Sequence, residues 1–153
     1  MRKSLFILTL VAVLAGMSSC NYSSEPCRFN KKTIDLPVAW NEWKFDNDAK
    51  QFYVHFNIDA LTADVYNYGN YSLHREYNSG TKDVYQVALP QSMFMTDTLN
   101  DGSVAYYTQH IDYRVGIKFV EIQVTNSDYF YPTDGQGNLY APDDMRFRLE
   151  LIY

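Results

Sequence analysis

The sequence predicts an all-β domain, an antiparallel β-sandwich of about seven or eight short strands, with a small closed barrel as the alternative. Apolar side chains recur at every second position through most of the chain from residue 33 to its end. Turn sequences separate these runs, and only one short segment suits a helix. Aromatic residues make up 16% of the chain, and such side chains favour pleated, half-buried surfaces.

The first predicted strand carries apolar residues at alternate positions from Ile34 to Trp40. Pro37 restricts it to a sheet edge or a bulge, because proline has no backbone N–H to donate. A turn at 46–48 leads to a second strand whose apolar face runs from Phe52 to Ile58. Both segments therefore fit a sheet with one buried face.

Residues 61–69 break the alternation and predict one helical turn. Thr62 suits the N-cap, and residues 63–68 can form the turn itself. Gly69 is expected to end the turn in a left-handed conformation.

The remaining chain returns to a two-residue period. In 71–77 one face carries Tyr71, Leu73, Arg75 and Tyr77. Further strands are predicted at 85–89, around 93–95, at 104–111, at 117–124 and at 145–153. An Asn-Asp-Gly sequence at 100–102 predicts a hairpin, and 126–144 is a long polar loop.

The N-terminus predicts export. Residues 1–19 combine two basic residues, an apolar run too short to span a bilayer, and small residues near the end. The sequence from Gly16 to Cys20 resembles the lipobox of bacterial lipoproteins, although Met17 replaces the usual Leu, Val or Ile. The alternative is ordinary cleavage near Ser19, which would give a soluble periplasmic or secreted protein.

The predicted organisation is a signal peptide at 1–19, a lipidated tether at 20–32 and one β-sandwich domain at 33–153. Acyl chains such as palmitate on Cys20 would hold the protein to a membrane, since two or more chains anchor stably. Asn21 favours the outer membrane by analogy with lipoprotein sorting. The domain is expected to face either the periplasm or the cell exterior. Cys27 is expected to be a free thiol, to form an intermolecular disulfide or, without acylation, to pair with Cys20.

Charge and motifs exclude several function classes. The net charge of −5, without a basic run, disfavours nucleic acid and anionic lipid surfaces as partners. His55, His74 and His110 lie outside zinc-ligand spacings, and no nucleophile elbow, phosphate loop or dinucleotide motif occurs. We therefore expect no catalytic residue, no metal and no cofactor. Residues 134–138 are predicted to form a turn, although Asp143 and Asp144 leave a weak ion site open.

Tyrosines are the best candidates for ligand binding. Tyr129, Tyr131 and Tyr140 lie in the longest loop, where aromatic rings can stack on sugars and their hydroxyls can hydrogen-bond. The alternative is that these rings cover the ends of the sandwich. A second group, Tyr66, Tyr68 and Tyr71, surrounds Gly69.

Several short segments resemble a family of small lipoproteins of Gram-negative gut anaerobes that has no assigned activity. They are 60–62 with 64–66, 75–78 with Gln86, 89–90, 111–113 and 145–147. The resemblance covers about residues 33–153 and implies an envelope location and a β domain, without transferring any site residue.

The expected function is a non-enzymatic binding or structural module at the outer membrane, with a glycan or an envelope protein as its partner. The alternative is a hydrolase of an envelope or dietary polymer, which would require a concave pocket with convergent acid and base groups.

Overall fold

The computed structural model describes residues 29–153, apart from Asn100 and Gly135. The predicted leader, the lipidation site at Cys20 and the thiol of Cys27 lie outside the described residues. No helix in the described part of the chain is long and apolar enough to cross a membrane.

Nine strands form two antiparallel sheets across the described residues. The strands are β1 (Lys31–Val38), β2 (Lys44–Asp46), β3 (Gln51–Asn57), β4 (Asn70–Tyr77), β5 (Tyr85–Ala88), β6 (Gln91–Thr98), β7 (Val104–Gly116), β8 (Phe119–Asn126) and β9 (Met145–Ile152). One helix, α1 (Ala63–Tyr68), and two 3-10 turns, Trp40–Glu42 and Ser127–Tyr129, complete the fold.

The four-stranded sheet has the order β1-β9-β4-β5, and the five-stranded sheet has the order β2-β3-β8-β7-β6. The sheets do not close into a barrel, so the predicted antiparallel β-sandwich is confirmed. The strand absent from the prediction is β2, whose three residues are too few to show a period.

The core lies between the sheets, where inward residues pair across strands. On the four-stranded sheet, Leu149 of β9 pairs with Ile34 of β1 and with Leu73 of β4. On the five-stranded sheet, Ile122 and Val124 of β8 face the same interior and are almost fully buried. Each fully buried aliphatic side chain contributes about 1.5–3 kcal/mol, so these pairs hold the sheets together.

β1 is an edge strand, as Pro37 predicts. It begins at Lys31, two residues before the predicted domain boundary, because Lys31 and Lys32 pair with the end of β9. Just before β1, Asn30 exchanges backbone hydrogen bonds of 2.7 and 3.0 Å with Tyr153. The folded domain therefore begins inside the segment that the sequence assigned to the tether.

Helix α1 confirms the predicted cap and corrects the predicted end. The hydroxyl oxygen of Thr62 accepts a hydrogen bond from the backbone N–H of Val65 at 3.3 Å. Gly69 has φ −83°, so the expected left-handed conformation is wrong. Glycine is required there because a Cβ would lie 2.6 Å from the carbonyl oxygen of Val65.

The predicted hairpin at 100–102 joins β6 to β7, with Gly102 at φ +83°. β7 continues beyond the predicted end at 111 as far as Gly116, and a two-residue turn then leads into β8. Lys118 in that turn adopts φ 66°, a left-handed value suited to tight hairpins.

A polar cavity at one end of the sandwich

The inward positions of β4 and β7 change from aliphatic to polar toward the same end of the sandwich. On β4, Leu73 is fully buried and Arg75 follows it on the same face. On β7, Ile111 is fully buried and Gln109, also buried, precedes it on that face. In each of these strands, the polar residue is the inward-facing residue next to the fully buried aliphatic one.

β8 repeats this change, and β6 adds a carboxylate at the same end. On β8, Val124 is buried and Asn126 follows it as a buried amide. On β6, Met95 faces Tyr107 of β7, and Asp97 is the next residue on that face. We call Arg75, Asp97, Gln109 and Asn126 the polar half of the interior. We call the inward aliphatic residues at the other end, among them Leu73, Ile111 and Leu149, the apolar half.

The polar half surrounds a cavity of about 690 Å³ between the sheets, and the loop after β8 covers it. This volume falls within the range of about 300–1,000 Å³ typical of small-molecule sites. All the members of the polar half line the cavity, together with Met93, Met95 and Met145. A neighbouring cavity of about 450 Å³ on the side of β1 and β9 shares Arg75 and Met145.

Arg75 is held in position by an aromatic stack. Its guanidinium carbon lies 4.5 Å from the centre of the Tyr77 ring, a cation–π distance. Tyr77 in turn stacks on Tyr85 with ring centres 4.9 Å apart. The Tyr77 hydroxyl donates to Gln91 at 2.9 Å, so the support reaches across to the five-stranded sheet.

The guanidinium lacks a strong acceptor. Nη1 of Arg75 lies 3.4 Å from the thioether sulfur of Met93, which accepts hydrogen bonds only weakly. No carboxylate among the described residues forms a salt bridge with Arg75, although Asp143 lies close enough to interact through charge. Burial lowers the pKa of Arg75 from its ordinary value, which is the direction expected when a cation loses water.

Asn126 presents an acceptor without a partner. Its Nδ2 donates to the carbonyl oxygen of Phe130 at 2.9 Å, which fixes the orientation of the amide. Its Oδ1 is buried and has no hydrogen-bond partner within the described chain. Such a buried atom costs about 1–3 kcal/mol, which a ligand donor would offset.

Tyr107 and Asp97 form a third polar feature of the cavity. The Tyr107 hydroxyl donates to Oδ2 of Asp97 at 3.0 Å. Burial, together with this hydrogen bond to a carboxylate, raises the pKa of Tyr107 to about 12. Tyr107 is therefore a neutral donor at physiological pH, and it leaves the second oxygen of Asp97 available.

The three predicted ligand-binding tyrosines occupy different environments. Tyr140 is exposed and lines the mouth of the cavity. Tyr131 packs edge-to-face against Phe45 and Phe52, and its hydroxyl donates to the carbonyl oxygen of Lys50. Tyr129 is exposed and lines neither cavity described above. Their binding role stays a prediction, but only Tyr140 contacts the cavity.

The histidines lie apart from the cavity. His55 is 3.7 Å from Glu121 on the outer face of the five-stranded sheet, where Arg114 also contacts Glu121 at 2.8 Å. His110 lies 2.7 Å from the Ser92 hydroxyl on the exposed part of that face, outside both cavities. No group of metal-ligating side chains occurs among the described residues.

The predicted turn at 134–138 is present. The side-chain amide of Asn138 donates a hydrogen bond to Oδ2 of Asp134, and the backbone N–H groups of Asn138 and Gln136 donate to Oδ1. These bonds, the first being the strongest, lower the pKa of the Asp134 carboxyl. The carboxylate therefore stabilises the turn itself.

Sequence reasoning missed Arg75, although its signal was present. Arg75 occupies the register of Tyr71, Leu73 and Tyr77, so a charged residue falls on a face that otherwise reads as apolar. Gln109 and Asn126 gave no comparable signal, because their inward direction depends on the register of β7 and β8.

Comparisons of the chain with models of protein families, with curated proteins and with solved structures find no match, so its function is inferred from the geometry of the cavity.

Proposed function

We propose that the protein is a membrane-tethered extracytoplasmic binding module that holds a small polar ligand in the cavity between its sheets and performs no catalysis. The observation that carries this proposal is that polar side chains from four strands, Arg75, Asp97, Gln109 and Asn126, line one cavity. Protein interiors normally exclude such groups unless they are paired, since unpaired polar atoms cost free energy.

The composition of the cavity suits a saccharide or a saccharide-like ligand. The amides of Gln109 and Asn126 offer donors and acceptors, and Tyr140 supplies an exposed aromatic ring at the mouth. Sugars present hydroxyls at their edges and apolar faces that stack on aromatic rings. A glycan end is therefore the favoured ligand, with a segment of an envelope protein as the alternative.

The position of the cavity fits a tether at the N-terminus. β1 begins at Lys31 beside the end of β9 and finishes at Val38 beside Met145, which lines the cavity. Eight extended residues span about 25 Å, so the chain leading back to Cys20 enters at the end of the sandwich away from the cavity. Lipid on Cys20, in our proposal at the outer membrane, would therefore be joined to the domain at the Lys31 end of β1.

Ligand screening tests the binding function. The full-length chain in detergent is titrated with a panel of neutral and acidic mono- and disaccharides, and binding is followed by calorimetry. Ala141→Trp would fill the cavity, because Ala141 lines it, whereas Thr125→Trp places the same side chain on the outer face of β8. We expect saturable binding that Ala141→Trp abolishes and Thr125→Trp preserves. Binding that both variants retain would contradict the cavity as the site.

The anchor requires a separate test. Cys20→Ala should prevent acylation and cleavage, so that the uncleaved precursor accumulates and no acylated mature form appears in the membrane fraction. Mass spectrometry of the wild-type membrane fraction should find an acylated N-terminal cysteine. Unchanged processing in Cys20→Ala would refute the tether.

A further inference from the structure

The partners of the Arg75 guanidinium indicate which chemical group the cavity would bind. Its guanidinium carries five N–H donors, yet in the described chain it meets a thioether sulfur and the face of an aromatic ring. Both are weak partners for a cation that is partly withdrawn from bulk water. The Tyr77–Tyr85 stack nevertheless holds the side chain in one place, so its remaining donors are directed in advance of binding.

We propose that the cavity recognises a carboxylate of its ligand through the guanidinium of Arg75. This inference rests on the proposed function, since it names the chemical group that the same cavity binds. The planar fork of arginine matches the two oxygens of a carboxylate, and such bidentate bonds are stronger than those between neutral groups.

The acidic residues around the cavity favour a carboxylate over a phosphate. Asp97 and Asp143 also line the cavity and add negative charge near Arg75. A phosphate monoester carries about −1.5 to −2 charges at neutral pH, so these carboxylates repel it more strongly than they repel a single negative charge. Gln109 and Asn126 are neutral and add no cation that would offset a second charge.

The rest of the site defines what accompanies the carboxylate. The unpaired Oδ1 of Asn126 and the second oxygen of Asp97 are acceptors, so a ligand group that reaches either of them must be a donor. Hydroxyls of an acidic sugar supply such donors, and so do the amide N–H groups of a peptide that ends in a carboxylate. The chemistry shared by both sources is a carboxylate next to several hydrogen-bond donors.

The test uses pairs of probes in which a carboxylate is replaced by a neutral ester or amide. One pair is D-glucuronate and its methyl ester, and the other is N-acetyl-alanyl-alanine and its C-terminal amide. Each is titrated into the full-length chain in detergent at low salt. We expect the acid of one pair to bind at least about tenfold more tightly than its neutral partner, as charged hydrogen bonds are worth more than neutral ones. The pair that shows the difference identifies the source.

Variants separate Arg75 from the general charge of the protein. Arg75→Gln should abolish the preference for the acid, and Arg75→Lys should retain part of it, because lysine keeps the charge without the fork. Arg114→Gln makes the same change on the outer face and should leave the preference intact. Thermal unfolding of each variant without a probe confirms that it is folded.

The outcomes distinguish this inference from the proposed function. Equal binding of acid and neutral probes, lost in the cavity-filling Ala141→Trp, would overturn the carboxylate inference and leave the binding function standing. A preference for the acid that survives Arg75→Gln would also overturn it. Binding of no acidic probe would overturn it as well, and the saccharide panel then decides the binding function independently.

Discussion

The two halves of the sandwich interior share strands β4 and β7 and have opposite chemistry. In the apolar half, Leu73, Ile111 and Leu149 are fully buried, and they need no partner other than each other. In the polar half, Arg75 and Asn126 have hydrogen-bonding capacity that the described chain does not satisfy. The contrast shows that stability and binding are placed in different parts of one core. The following variants test that division.

The apolar half should carry most of the stability. Leu149→Ala removes a fully buried side chain at the centre of the four-stranded sheet, and we expect the free energy of unfolding to fall by about 3 kcal/mol. Ile152→Ala, on the same strand but 37% exposed, is the matched control and should cost less than about 1 kcal/mol. Urea unfolding measures both. Equal losses would contradict the division.

A paired buried charge should behave differently from Arg75. Glu121 lies on the outer face of β8, where burial acts to raise its pKa. Hydrogen bonds from Gln123 and Arg114 outweigh burial, so the pKa of Glu121 lies below its ordinary value of 4.5. Glu121→Gln should therefore cost about 1–2 kcal/mol at neutral pH.

The pH dependence of that cost follows from linkage. A depressed carboxyl pKa stabilises the fold above the unfolded pKa, and the contribution disappears as the pH falls through the folded value. The difference between wild type and Glu121→Gln should therefore be complete at pH 7 and shrink below about pH 4.5. Unfolding curves from pH 7 to pH 3 measure it, and a constant difference would refute the assignment.

Arg75→Met should stabilise the protein in the absence of ligand. Methionine fills the space without a charge that lacks a carboxylate partner, so we expect a gain of about 1 kcal/mol, or about 3 °C in Tm. Arg114→Met is the control and should cost stability, because it removes the partner of Glu121. If Arg75→Met lost more than about 1 kcal/mol, Arg75 would be a structural bridge between the sheets.

The smallest effect should come from Gln109→Met. Gln109 is opposite Met93 in the register of β6 and β7, and methionine has a similar length and volume. We expect a change within about 0.5 kcal/mol by thermal or urea unfolding, because the replaced amide faces the cavity. A loss of more than about 1.5 kcal/mol would show that the amide supports the fold itself.

The sequence predicted the fold better than the site, for physical reasons. Alternation along a strand is a local signal, so Leu36, Ile122 and Leu149 could be placed in the core before their partners were known. The end of α1 was misjudged because Gly69 is required for close approach to a backbone oxygen, a contact that no local pattern encodes.

The cavity is a property of four strands together. Arg75, Gln109 and Asn126 are distant in the chain and converge through strand order and register, which the sequence does not give. The loop that carries the tyrosines was a reasonable candidate for a binding site. The rings of Tyr129 and Tyr131, however, lie in different environments from the ring of Tyr140. The sequence shows that the loop is rich in tyrosine. Only the packing shows that Tyr131 belongs to the core and that Tyr140 lines the cavity.

The NMR resonances of methionine methyl groups can test directly whether the polar half is a ligand site. Three of the chain's five methionines, Met93, Met95 and Met145, line the cavity. With ¹³C-methyl labelling of methionine and leucine, titration of the full-length chain with the probe that binds most tightly in the titrations above should shift the resonances of Met93 and Met95 in a saturable way. The methyl resonances of Leu73 and Leu149 in the apolar half should stay in place. Unmoved methionine resonances, or equal shifts in both halves, would contradict the account.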